Sequence, residues 1–267
     1  MKTTFFASLS GAIRNALIVM AGITTLAMCA LPATAAIQYG VRCEDAFQNN
    51  WVIGMPVSPA CSAFINQIGS ANVDFYFNLH GAAPAFEFGD SKETSKAWGG
   101  VDSVDFFLLA TEGGYSNTTA EYAMWDENSI ASTSNMRLGD SGKQVEVFAS
   151  FTCFTFMNSD GLFWKRWQHT FGGGLKLGLG GHGILFGSNE SSLGQDFALY
   201  MQEGSTIGSA WLNAFNNANN SNETTVANTG ANSNDCWNRQ GVTLKNFASE
   251  STLRDGQIGY VCWTNWN

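Results

Sequence analysis

Basic side chains are scarce in this sequence: 13 Lys and Arg stand against 22 Asp and Glu in 267 residues, with three histidines. Phosphate-binding surfaces are built from Lys and Arg, so the shortage speaks against nucleic acid or anionic membrane as a partner. No C-x-x-C occurs, which removes a zinc ribbon and a thioredoxin-like centre. The histidines at 80, 169 and 182 are too scattered to make a metal site, and no cofactor or metal is expected. No repeat of solenoid period is visible, and no apolar run after the N-terminal segment is long enough to span a bilayer.

The N-terminus also lacks acids, the first being Glu44. It carries Lys2 and Arg14, then the apolar run "ALIVMAGITTLAMCALPATAA", ending in the small residues Ala33-Thr34-Ala35. These are the three parts of a secretory signal peptide, with cleavage after Ala35 or Ala36. A retained signal anchor is the alternative, and the small-residue run favours cleavage; Met28 is too bulky for a lipoprotein site at "LAMC". The expectation is a signal peptide over 1–35 and a single domain over 36–267. Losing Lys2 and Arg14 leaves 11 basic against 22 acidic residues, a net charge of −11. That balance suits a soluble protein that is secreted or periplasmic.

Of six cysteines, Cys29 would leave with the signal. An oxidising compartment favours pairs. The economical pairing is local, Cys43 with Cys61 and Cys236 with Cys262, although spacing alone does not fix connectivity. Cys153 is then the odd one.

Apolar runs rich in aromatic and β-branched residues predict buried strands at 73–79, 101–110, 143–154 and 175–186, the last with glycines that allow close approach or a bend. Helical spacing covers 159–171 and 194–218, where Gly204-Ser205-Thr206 breaks the longer segment into two helices and the hydroxyls cap the second of them. The Asn-rich stretch 213–235 is read as an exposed loop. Alternating strand and helix favours a three-layer α/β/α sandwich with a mainly parallel sheet, and such sheets place ligands beyond the carboxyl ends of their strands.

Those ends hold the candidate chemistry. Cys153 would follow Val145, Val147, Ala149 and Phe151 on one strand face, where a thiol can meet a base from a neighbouring strand; the plainer reading is a buried cysteine acting as a small hydrophobe. His80 and His182 each precede a glycine near a strand end, and each equally suits a turn or a structural hydrogen bond. His169, beside Lys165 and Arg166, reads as a surface or packing residue. Glu112 ends the strand "FFLLAT" ahead of Gly113-Gly114, with Glu121, Asp126, Glu127, Tyr115, Tyr122 and Trp125 in the loop beyond. Paired carboxylates near aromatics suit a glycan binder or a glycosidase using Glu112 with Asp126 or Glu127; a solvated acidic loop is the plainer account.

The motifs "WGGVDSVDFFLLATEGGYSN", "VEVFASFTCFTF", "RWQHTFGGGLKLGLGGHGILFGSN" and "GQDFALYMQEGSTIGSAWLNAF" resemble, in this order, a family of secreted bacterial domains of unknown function. That family is similar to the caspase and gingipain group of cysteine peptidases, and the likeness covers about 70–218. It implies a caspase/gingipain-like sheet with Cys153 at the nucleophile position. The chain departs from the pattern at Thr111-Glu112-Gly113, where the group has His-Gly. A carboxylate there raises the thiol pKa by like-charge repulsion and accepts a proton poorly at neutral pH. The base is then His182, on the strand beyond the cysteine strand, or His80, whose separation from Cys153 is long for the dyad. The resemblance thus implies a degenerate or non-standard hydrolase without the usual histidine. The alternative is a non-catalytic protein that binds a peptide, protein or glycan in the same cleft.

Overall fold

The computed structural model describes residues 37–45, 57–78, 88, 100–124, 130–139, 145–184, 190–218, 224–247 and 257–265. In chain order these form β1 (Tyr39–Cys43), α1 (Ser58–Ile68), β2 (Val73–Asn78), β3 (Phe106–Ala110), β4 (Gly113–Tyr115), β5 (Ala120–Ala123), β6 (Ile130–Ser132) and β7 (Val147–Phe151). Next come α2 (Phe163–Phe171), β8 (Leu177–Gly181), α3 (Glu190–Gln202), α4 (Ile207–Asn217), β9 (Thr224–Gly230), α5 (Ser233–Asn238) and β10 (Tyr260–Asn265). Residues 36–267 make one compact unit. The signal expected over 1–35 lies outside the described residues.

Seven strands join in the order β10-β9-β8-β7-β3-β1-β2. The run from β2 to β8 is parallel. β9 runs antiparallel to β8, and β10 antiparallel to β9. The sheet is therefore mixed and mostly parallel. Every residue of β1, β3, β7 and β8 is buried, Arg42 and Ser150 included, as befits strands covered on both faces. Alternate residues divide between two cores. Val41, Leu108, Ala149 and Leu179 pack with Phe64 of α1, Phe197 of α3 and Trp211 of α4. Phe107, Leu109 and Phe148 pack with Trp167 of α2 and with Tyr122 of a small antiparallel sheet, β4-β5-β6.

The strands read from the sequence lie where expected but are shorter. The strand read as 143–154 is β7 only, and Val145 joins the core with Phe148 rather than the one with Val147. The reading of 213–235 as an exposed loop is corrected: α4 continues to Asn217, β9 occupies 224–230 with every residue buried, and α5 begins at Ser233. The hydrogen-bonded hydroxyls of Thr225 and Thr229 help this polar segment be a strand; Thr229 Oγ1 donates to the Leu175 carbonyl at 2.7 Å and Thr225 Oγ1 to Asn265 Oδ1 at 2.9 Å. The break at 204–206 is present, and the Thr206 hydroxyl caps α4 by accepting from the Ser209 N–H at 3.1 Å.

Cys43 pairs with Cys61 and Cys236 with Cys262, at Cα separations of 6.5 and 6.1 Å. The first ties the end of β1 to α1, and the second ties α5 to β10. No helix among the described residues is long and apolar enough to cross a membrane.

Candidate functional site

Past Phe151 the chain turns back on itself. β7 runs parallel to β8, with Val147 opposite Leu177 and Ala149 opposite Leu179. Beyond the strand, the Phe154 N–H donates to the Gly183 carbonyl at 2.9 Å and the Phe156 N–H to the Gly181 carbonyl at 2.7 Å. The partners now descend as the chain ascends, so its direction has reversed. Phe154 takes a φ of 57°, a left-handed conformation that costs a non-glycine residue on the order of 1–3 kcal/mol. Cys153, half-buried and outside both disulfides, sits at the apex of this reversal.

Two sets of contacts hold the turn. The buried hydroxyls of Ser150, Thr152 and Thr155 bond to one another, Thr152 to Thr155 at 2.7 Å, and the Trp167 indole N–H donates to the Thr155 carbonyl at 2.9 Å. The Phe156 ring lies flat against β8, where a Cβ on Gly178 would come within 2.9 Å of the ring and one on Gly180 would overlap it. The glycines read as permitting close approach do so for this ring. The Tyr122 hydroxyl is buried beside the hydroxyl cluster without a hydrogen bond of normal geometry, and burial pushes its pKa up.

Glu112 lies between β3 and β4, one residue ahead of the contact with the turn. The Thr111 hydroxyl donates to the Ala123 carbonyl at 2.6 Å and the Ala123 N–H to the Glu112 carbonyl at 3.0 Å, which anchors the strand end on β5. Gly113 then presses on the cysteine turn; a Cβ there would lie 3.0 Å from Thr152 Cβ and 3.1 Å from the Cys153 carbonyl oxygen. Glu112 itself is half-buried, and desolvation raises its carboxyl pKa. Tyr115, at the end of β4, is 43% exposed. Its ring centroid is 5.9 Å from that of Phe154, and the Arg166 guanidinium carbon lies 4.6 Å from its centre. Arg166 is buried, donates to the Ser116 and Met157 carbonyls at 2.5 and 2.9 Å, and forks onto Asp160. The fork holds the Asp160 carboxyl below its ordinary pKa.

His182 follows β8 on the other side of the turn. Its Nδ1 lies 3.2 Å from Thr225 Oγ1 on β9. Thr225 Oγ1 donates to Asn265 Oδ1 at 2.9 Å and accepts from Asn158 Nδ2 at 2.8 Å. Asn158 and Asn265 pair their amides reciprocally, at 2.7 Å each way.

Of the residues singled out from the sequence, the backbone therefore brings Glu112 and His182 to either side of Cys153, through Gly113 and Gly183. His80, Trp125, Asp126 and Glu127 lie outside the described residues. His169 is exposed on α2. Sequence reasoning missed Thr225, Asn158 and Asn265, because nothing local marks residues that meet across two strands and a loop. Among the described residues no cluster of three His, Cys, Asp or Glu side chains could hold a metal. A cleft of about 240 Å³ lined by Ile37, Tyr39, Ile68, Asn72, Gln202 and Leu244 lies at the opposite, amino edge of the sheet and contains none of these groups.

The chain belongs to a family described as a domain of unknown function (DUF6345), whose model matches residues 57–257. That span includes Glu112, Cys153, Asn158, His182 and Thr225, and stops short of β10. No curated protein matches the chain.

Proposed function

We propose that this chain is an exported, cysteine peptidase-like protein with a caspase/gingipain-like three-layer α/β/α architecture, in which Cys153 is the nucleophile of a non-standard hydrolase. The turn at 152–156 carries the reading. It puts a thiol beyond the carboxyl end of a parallel strand, between the residues that come directly after Glu112 and His182. The mostly parallel strand order and a core on each face of the sheet support the architecture. The basic-apolar N-terminus and the two cysteine pairs support export.

In this reading the Cys153 thiolate attacks a peptide carbonyl carbon, its proton having passed to a base that later returns it to the departing amine; water then opens the thioester. Glu112 occupies the position where the resembled group has histidine. Its ionised carboxylate holds the thiol's proton more tightly by like-charge repulsion, and the raised pKa lessens that effect by favouring the neutral form. His182 is the remaining imidazole at this edge among the described residues. Iodoacetamide labelling of the native protein across a pH series, with mass-spectrometric location of the adduct, tests the reading. Rapid labelling of Cys153 near neutral pH, slowed by His182→Ala, is expected; labelling only after unfolding would sink it.

A second reading, a non-catalytic protein that binds a peptide or glycan at the same edge, is favoured by the exposed Tyr115 ledge beside Phe154. Binding on peptide and glycan arrays that is lost in Tyr115→Ala, with Cys153→Ser unaffected, would select it.

A further inference from the structure

The hydrogen-bond network behind His182 sets which of its ring nitrogens can take a proton. Thr225 has one hydroxyl hydrogen and three neighbours: His182 Nδ1 at 3.2 Å, Asn265 Oδ1 at 2.9 Å and Asn158 Nδ2 at 2.8 Å. With the amides as placed, the hydroxyl hydrogen goes to Asn265 Oδ1, and Asn158 supplies a hydrogen to Thr225. Amide orientations are assigned from networks, so the flipped arrangement needs the same accounting. The reciprocal bonds between Asn158 and Asn265 require both amides to flip together. Thr225 then receives a hydrogen from Asn265 and gives its own to Asn158. In either arrangement the hydroxyl hydrogen is spent on an amide oxygen, and the lone pairs of Oγ1 face His182. Were Nδ1 also a bare lone pair, it would meet an oxygen lone pair in a half-buried site. With the ring as placed, Nδ1 therefore carries the hydrogen.

We infer that Thr225, Asn158 and Asn265 are positioning residues that hold His182 as the Nδ1–H tautomer, leaving Nε2 as the proton acceptor at the carboxyl edge of the sheet. The inference deepens the hydrolase reading and rests on it for the acceptor's use. There, Nε2 takes the Cys153 thiol proton, the imidazolium keeps its Nδ1–H bond to Thr225, and Nε2 later returns the proton to the departing amine. The three residues come from β9, the loop after β7 and the last residue of β10, so segments far apart in sequence converge on one ring nitrogen.

Imidazole-nitrogen NMR of the isotopically labelled full chain, on the alkaline side of the His182 titration, reads the tautomer directly. A pyrrole-type Nδ1 and a pyridine-type Nε2 are expected, and the reverse assignment overturns the inference without need of any variant. Thr225→Val, which keeps the shape of a buried strand residue, should move the signature towards the Nε2–H form. It should also slow Cys153 alkylation by roughly tenfold or more, part of the 10²–10⁴ range of general-base assistance. Thr225→Ser should restore both. An unchanged tautomer in a folded Thr225→Val protein also overturns it. If the wild-type tautomer is as inferred but His182→Ala leaves Cys153 alkylation unaltered, the inference stands and the hydrolase reading falls.

Discussion

At Glu112, half-burial favours the neutral carboxyl, so its titration is linked to folding with a definite sign. The folded chain holds this proton more tightly than the unfolded chain, in which the carboxyl titrates near 4.5. The stability contributed by the group is complete below that value and is lost as pH rises through the higher, folded pKa. Glu112→Gln keeps the shape and removes the ionisation. The variant should gain stability over the wild type at neutral pH and lose that advantage below pH 4.5. Urea midpoints across the pH series check this; two curves running parallel throughout would refute the assignment of burial as the cause. A second residue-scale outcome concerns Gly180, whose missing side chain is the space filled by the Phe156 ring. Gly180→Ala should destabilise the protein by about 1–3 kcal/mol through overpacking. The same change in a Phe156→Leu background should cost less, and an additive double mutant would show that the ring is not what excludes the methyl group.

Elements whose signals are local were legible in the sequence, and those held from a distance were not. Gly204-Ser205-Thr206 announced the end of α3 and the cap of α4 because both acts involve neighbours in sequence. Thr206→Ala should cost about 1 kcal/mol, while Thr206→Ser retains most of it, as read from denaturation midpoints. Helix α1 went unread although Pro59 marks its first turn, and its leading N–H groups are satisfied from β1's side of the chain. Asp45 Oδ1 accepts from the N–H groups of Val57 and Ser58 at 2.6 and 2.9 Å, twelve and thirteen residues on. Strand β9 was hidden by composition. Thr224-Thr225-Val226-Ala227-Asn228-Thr229-Gly230 has the polarity of a loop, yet neighbours on both sides complete its ladder and bury it. Its hydroxyls then do what an apolar strand cannot, and Thr225 is the one that reaches His182.

At the scale of the whole molecule, parallel strands fed in one direction bring Glu112, Cys153 and His182 to a common edge, and that much came from reading each as a strand end. The orientation of the imidazole did not, because it depends on the final strand, whose last residue Asn265 closes the network. β10 is the outermost strand of the sheet on its side. It is held by its ladder to β9 and by the Cys236–Cys262 pair, which fastens it to α5. The Cys43–Cys61 pair instead fastens β1, which lies between β2 and β3. Removing either pair by Cys→Ser substitution should lower stability by about 2–5 kcal/mol, but the opening should differ in place. Without Cys236–Cys262, amide hydrogen exchange should quicken over 260–265 while β3 and β7 stay protected, since an edge strand can detach without breaking the ladders behind it. Without Cys43–Cys61, the quickening should reach β1 and α1, with 260–265 unchanged. Equal acceleration over the whole sheet in both variants would mean that β10 does not open on its own and that the histidine's support is as rigid as the core.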